Sequence, residues 1–185
     1  MRKNFGAKTV MYPQPVLIIG TYDENGVADA MNAAWGGISE ENEISICLSP
    51  EHKTVKNLLH RGAFTVSMAT KDQLVPCDYV GIVSANDVPN KLEIAGFHTE
   101  KSQCVDAPLI CELPMALECK VKSYDEGLCR LVGEIVNVCA EESILTDGKI
   151  DPSKLCPITY DGMNHAYYVL GERVGSAFVD GEALK

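Results

Sequence analysis

The sequence has no Cys-x-x-Cys pair, no Gly-x-Gly-x-x-Gly, no Gly-x-Ser-x-Gly and no long apolar run. The first absence argues against a zinc knuckle or a dithiol redox motif, although eight cysteines are present. The second removes a Rossmann nucleotide site, so any nicotinamide nucleotide must bind transiently and outside such a domain. The third leaves Ser67 and Ser84 without the context of a hydrolase nucleophile. No apolar stretch reaches the roughly 18–20 residues needed to span a bilayer, and no membrane partner is expected. His98 and His165 have no carboxylate or cysteine at metal-ligand spacing, so no metal site is expected. Positive charge is also scarce. Sixteen Lys and Arg face 26 Asp and Glu, a formal charge of −10, which argues against nucleic acid and against adhesion to anionic lipid. The opening Met1-Arg2-Lys3-Asn4-Phe5-Gly6 carries charge with no apolar stretch behind it, so no signal peptide is read and a cytoplasmic protein is expected. With no repeat, low-complexity segment or long linker, residues 1–185 are expected to form a single domain.

What is present is a strand-rich chain that is 46% hydrophobic and 23% charged, an ordinary globular balance. Val16 to Tyr22 reads as a strand, Asp23-Glu24-Asn25-Gly26 as a hairpin turn, and Val27 to Ala34 as the return strand. After a polar link comes a strand over Ile44 to Leu48, broken at Ser49-Pro50. A helix is predicted from Thr54 to Arg61, with Val55, Leu58 and Leu59 as its apolar stripe and Gly62 as its stop. Ala63 to Met68 resumes β structure, and Asp72 caps a second helix running through Val83. Ser84 to Phe97 is a loop with a short helical piece at Lys91–Gly96. Leu117–Lys122 and Leu128–Ala140 form a second hairpin around Asp125-Glu126-Gly127, and Leu145–Pro152 is a surface excursion. At least six strands, mostly hairpin-linked, with two or three short helices make a mainly β chain. Its expected form is a closed or nearly closed antiparallel barrel. Cysteines inside apolar strands, as in Ile46-Cys47-Leu48 and Val138-Cys139-Ala140, read as buried free thiols.

One stretch concentrates the chemistry. Asp29-Ala30-Met31-Asn32-Ala33-Ala34-Trp35 sets the only Trp after small side chains, which let a flat ring approach the backbone. Close strand packing explains small residues equally well, and a lone Trp is more often core. The following strand breaks into Glu51-His52-Lys53-Thr54 at a helix start, where amides and cations meet a phosphate. His52, Lys53, Lys56, His60 and Arg61 are the densest basic run in an acidic chain. Alone such a run is a solvated helix face; Lys53-Thr54 directly after the break shifts it toward phosphate. A phosphorylated planar cofactor fits both features.

These residues carry a family resemblance. Asp29–Gly36, Ser49–Asn57, Gly62–Ser67, Ser84–Leu92, Ala107–Ile110 before Leu117–Val121, and Tyr167–Glu172 resemble, in order and spacing, the flavin reductase-like FMN-binding split-barrel family that includes the flavoredoxins. The resemblance implies a Greek-key-like split β-barrel and a homodimer with FMN near the interface. It places Asp29, Met31, Asn32, Ala33, Ala34 and Trp35 beside the isoalloxazine. Ser49, Lys53 and Thr54, with Leu48 and His52 beside them, are placed at the phosphate, and Ser84 and Lys91 in the loop that completes the pocket. Flavoredoxins often carry Asn at the position of Asp29 and Thr at that of Asn32. An anionic Asp29 against the flavin N1–C2=O edge would lower its potential. No catalytic acid or base is implied, because hydride or electron transfer needs only stacking at the exposed N5 edge. Tyr160, Tyr167 or Tyr168 could line that face or could close the barrel. Three functions follow from the resemblance: a carrier or reductase with tight FMN, fed by NAD(P)H or a redox protein; an NAD(P)H:flavin reductase whose flavin leaves; and a flavin- or haem-binding module without turnover.

Overall fold

The computed structural model describes residues 1–185. An extended lead-in runs to β1 (Leu17–Tyr22), which turns at Asp23–Gly26 into β2 (Ala28–Ala33). The Asp23 carboxylate accepts from the amides of Asn25 and Val27, both at 2.9 Å, and so holds the turn. A two-residue corner, Ala34-Trp35, leads to β3 (Gly36–Glu40), which pairs with β4 (Glu43–Cys47). Helix α1 (Lys53–Arg61) follows, then β5 (Ala63–Met68), α2 (Leu74–Ile82) and α3 (Lys91–Ala95). Short β6 (Thr99–Lys101) and β7 (Pro108–Ile110) pair with each other, and β8 (Met115–Asp125) and β9 (Arg130–Ala140) form the long hairpin. A small hairpin of β10 (Leu145–Thr146) and β11 (Lys149–Ile150), then α4 (Pro152–Leu155), precede β12 (Ile158–Asp161) and β13 (Ala166–Val169).

Seven strands make one antiparallel sheet in the order β2-β1-β5-β8-β9-β4-β3. Its two edge strands are consecutive in the chain, so the Ala34-Trp35 corner brings the edges together and the sheet curls into a split barrel. The interior holds Leu17, Ile19, Ile44, Ile46, Phe64, Val66, Leu117 and Leu131, with Val55 and Leu58 of α1 plugging one end. The alternate residues of β1, led by Ile18, face outward beneath α2 and α3 with Ala30, Cys77, Val80 and Leu92. A strand buried on both faces needs a continuous apolar run, and this is why Val16–Ile19 reads so strongly as β.

The structure corrects several expectations. The polar link is strand β3; its residues are mostly exposed and pair with β4 through the backbone and one Ser39–Glu43 hydrogen bond, leaving no apolar alternation to see. Leu59 is half-exposed, and the buried face of α1 is Thr54, Val55, Asn57 and Leu58. Asn57 is tolerated there because its amide donates to Thr21 Oγ1 at 3.1 Å. The second helix is capped at Gln73 rather than Asp72 and ends at Ile82. The surface excursion contains β10 and β11. All eight cysteines are free, but only Cys77 and Cys119 are buried, and Cys47 is exposed. Burial pushes the Cys77 and Cys119 thiols up to about 12, which keeps them protonated and inert. Gly62 stops α1 in the left-handed region at φ 66°, as expected, with its amide returning to Leu58 O at 2.8 Å.

The C-terminal hairpin β12–β13 is pinned to the lead-in. Tyr12 Oη donates to Asp161 Oδ1 at 2.5 Å, Asn164 Nδ2 donates to Oδ2 at 2.7 Å, and the Met163 amide adds a third bond at 2.9 Å. The Tyr12 hydroxyl and the Asn164 amide hold the Asp161 carboxyl down, from 3.8 to about 2. A depressed carboxyl contributes stability above its unfolded value, and that contribution is lost as pH falls through the folded value. Wild-type melting temperature is therefore expected to drop between about pH 4 and about pH 2 more steeply than that of Asp161→Asn. Parallel slopes for the two proteins would refute the clamp.

Candidate functional site

A cleft of about 320 Å³ opens at the corner where the barrel splits. One wall is Met31, Asn32 and Ala33 of β2 with Ala34 and Trp35 of the corner. Cys47 and Leu48 at the end of β4, and His52 just before α1, continue it. Asp78, Gly81 and Ile82 of α2 face them, and Tyr160 and Tyr167 of the C-terminal hairpin cover the side. Trp35 is half-exposed, so its indole is a wall of the cleft rather than core.

The small residues of β2 serve two purposes. Ala30 is fully buried against the α2–α3 layer, the packing explanation, while Ala33 and Ala34 border the cleft. Helix α2 sits directly on this wall. Asn32 Nδ2 donates to Cys77 O at 3.1 Å, and a Cβ added at Gly81 would lie 2.7 Å from Asn32 Cβ. Only glycine permits this approach. A glycine late in a helix is the signal that could have marked Gly81 from sequence.

His52 stands at the helix N-cap in extended conformation, and no side chain caps the first turn of α1. The partial positive charge of that end is therefore directed toward the cleft rim. Ser49 is exposed at the preceding bend, and its carbonyl accepts from the His52 amide at 3.2 Å.

The remaining candidates do not line the cleft. Asp29, Thr54 and Lys91 are buried together: Lys91 Nζ lies 3.2 Å from Asp29 Oδ1, and Thr54 Oγ1 donates to Asp29 Oδ2 at 3.2 Å. The Lys91 ammonium also donates to Val83 O at 3.1 Å and Val80 O at 3.4 Å, the carbonyl end of α2. Its alignment favours those carbonyls, and Asp29 Oδ1 receives charge without a formed hydrogen bond. Lys91 on its own would read as a surface lysine; it is 3% exposed. Lys53 Nζ lies 3.4 Å from Asp23 and shares a separate polar recess with Lys56 and His60. Ser84 is exposed, its hydroxyl accepting from the Asn86 amide at 3.1 Å.

The aromatic side of the cleft joins residues far apart in sequence. Tyr160 and Tyr167 are cross-strand partners, their ring centroids 5.9 Å apart and tilted by 52°. Tyr167 Oη donates to Asp78 at 2.6 Å, and Tyr160 Oη lies 3.0 Å from His165 Nδ1. Burial, then the bond to the Asp78 carboxylate, pushes the Tyr167 phenol well above its ordinary value, so it keeps at neutral pH the proton it donates to Asp78. Tyr168 points to solvent.

A mainly β split barrel with a small-residue cleft at its open corner defines the class. The family model for the flavin reductase like domain matches residues 9–160, and the chain belongs to that family. Among solved structures it is similar to the flavoredoxin of Desulfovibrio vulgaris (Miyazaki F), at 35% identity and TM-score 0.94 over 98% of this chain and 100% of that one. A flavoredoxin from Methanosarcina acetivorans is 26% identical with TM-score 0.86, over 100% and 98% of the two chains. An FMN-binding domain of a flavin reductase-like enzyme from Shewanella baltica OS155 shares the fold at 20% identity and TM-score 0.79, over 88% and 89%.

Proposed function

We propose that this chain binds FMN in the corner cleft and works as a flavoredoxin-like oxidoreductase, passing electrons between a donor such as NAD(P)H or a redox protein and an acceptor. The observation that carries the reading is one cleft walled by Ala33, Ala34 and Trp35 with the uncapped amino end of α1 at its rim. The volume lies in the ~300–1,000 Å³ range of small-molecule sites. The donor set fits a flavin phosphate: small apolar walls for a flat ring, and helix amides with a nearby Lys53 for an anion. When bound, FMN would supply the redox chemistry, taking up and releasing hydride or electrons. The protein's own part is to hold and to shield. Ala33, Ala34 and Trp35 would flank the ring, Tyr160 and Tyr167 would exclude water from one side, and His52 with the first-turn amides of α1 would hold the phosphate, Lys53 turning to it from its Asp23 partner in the neighbouring recess. A homodimer with the flavin near its interface is part of the proposal. Exposed apolar side chains at the corner, Trp35 and Ile38, support it.

A second reading, an NAD(P)H:flavin reductase with dissociable flavin, is favoured by one feature. Both Lys53 and Lys91 already pair with acids, Asp23 and Asp29, which leaves less cationic grip for a phosphate. Colour that survives dialysis distinguishes a tight carrier from this reductase.

Trp35 is the sole Trp and lines the cleft, so its emission reports occupancy. Titration with FMN is expected to quench it to saturation, and riboflavin, lacking the phosphate, to bind more weakly. Lys53→Ala is expected to cost FMN about 1.5–3 kcal/mol of affinity, the worth of a hydrogen bond to a charged group, and to leave riboflavin unchanged. An unquenched Trp35 at saturating FMN would end the proposal. Equal affinities in Lys53→Ala and wild type would end the phosphate assignment alone.

A further inference from the structure

We infer that Gln14 is a positioning residue that locks the floor of the cleft to its aromatic side, an inference that rests on flavin binding at this site. Gln14 lies in the lead-in, outside every strand of the barrel, yet it is only 7% exposed. Its side-chain amide donates to Ala34 O. Its backbone amide donates to Thr159 Oγ1 at 2.8 Å, and its carbonyl accepts from the Tyr160 amide at 2.8 Å and from Thr159 Oγ1 at 3.0 Å. One residue thus joins the Ala34-Trp35 corner to the strand that carries Tyr160 into the cleft.

The corner needs such support. Ala34 and Trp35 belong to neither β2 nor β3, so their peptides lie outside the ladder that orients the rest of the wall. Trp35 O accepts from the Cys47 amide at 2.7 Å, and Ala34 O is held by Gln14. A trans peptide points its N–H away from its C=O, so clamping Ala34 O sets the direction of the Trp35 N–H. Ala34 and Trp35 line the cleft and Gln14 does not, so the clamp acts from behind the wall. A flavin offers hydrogen-bond acceptors along its ring edge, and a wall peptide set in advance binds them without an ordering cost.

The test uses Gln14→Glu and Gln14→Met in the full chain, with FMN affinity read from Trp35 emission and stability from thermal melting without flavin. An ionised Glu cannot donate to Ala34 O, whereas a protonated Glu can. Gln14→Glu is expected to bind FMN about tenfold to a hundredfold more weakly than wild type at about pH 8 and to recover toward wild type at about pH 5, because burial at this position raises the carboxyl above its ordinary range. His52, Asp78, Tyr167 and the Tyr160–His165 pair face the same cleft, and Asp161 follows Tyr160. Wild type measured over the same pH range removes their contribution. Gln14→Met is expected to bind weakly at both pH values. Wild-type affinity at about pH 8 in either variant would overturn the inference, as would loss of the melting transition in both, which would make Gln14 a folding residue. Failure of wild type itself to bind FMN would instead overturn the proposed function.

Discussion

Lys91→Met is expected to lower the unfolding free energy by roughly 3–5 kcal/mol, the usual cost of stranding one partner of a buried ion pair. Lys91 and Asp29 are 3% and 2% exposed, and neither has solvent to fall back on. Removing the ammonium leaves Asp29 with one hydrogen bond, from Thr54, and leaves the carbonyls of Val80 and Val83 without a cation. Those carbonyls are the negative end of α2, where a positive charge is favoured. The cluster therefore ties β2, α1, α2 and α3 at one point behind the cleft. Urea unfolding of wild type, Lys91→Met, Asp29→Asn and the double variant checks this. The double variant is expected to recover much of the loss, because removing both charges removes the desolvation cost with the attraction. A stability within 1 kcal/mol of wild type for Lys91→Met, against the roughly 3–5 kcal/mol expected, would show that water reaches Asp29.

Gly81→Val is expected to abolish measurable FMN binding. The added Cβ lies 2.7 Å from Asn32 Cβ, so α2 must move away from β2, and the remaining methyls enter the cleft. Forcing atoms into a packed contact costs about 1–3 kcal/mol, enough to lower the melting temperature without unfolding the chain. Ala34→Leu is the companion variant, because it fills the same cleft from the opposite wall, away from the α2 contact. Its melting temperature is expected to stay near that of wild type while its affinity falls more than about a hundredfold, the equivalent of one lost ring contact plus steric exclusion. Two folded variants that still quench Trp35 at wild-type FMN concentrations would place the flavin elsewhere.

Much of this molecule was legible because its signals are short-range. The Val16–Ile19 run, the Asn25-Gly26 turn and the second hairpin are written in adjacent residues, and each formed, the hairpin with strands at Met115–Asp125 and Arg130–Ala140 and its turn just past the Asp125 where it was read. Helix α1 was legible from its start after Ser49-Pro50 to its Gly62 stop. Strand β3 was not, because an edge strand held by backbone pairing needs no apolar alternation. Leu59 was misplaced because the face that α1 turns to the barrel is rotated toward Thr54 and Asn57, and Asn57 takes its place there by bonding Thr21.

The residues Met31 to Trp35, with Leu48 and His52, were picked out by sequence and line the cleft together, because small side chains before a lone Trp and a strand-to-helix break are local facts. Which cations stand free is another matter. Lys91 read as available, but its neighbours in space are Asp29, 62 positions earlier in the chain, and the end of α2, and they hold it buried. Asp78 and Gly81 reach the cleft from α2, and Tyr160 and Tyr167, read either as lining the flavin face or as closing the barrel, reach it from the last hairpin; only the fold brings them to one place. Most of the barrel strands, the start of α1 and the small-residue wall are written in the chain itself, since each depends on contacts within a few residues. Which charges are neutralised and which side chains border the cleft waits on the fold, since Coulomb pairing and packing depend on distance in space, and the chain sets that only once it has folded.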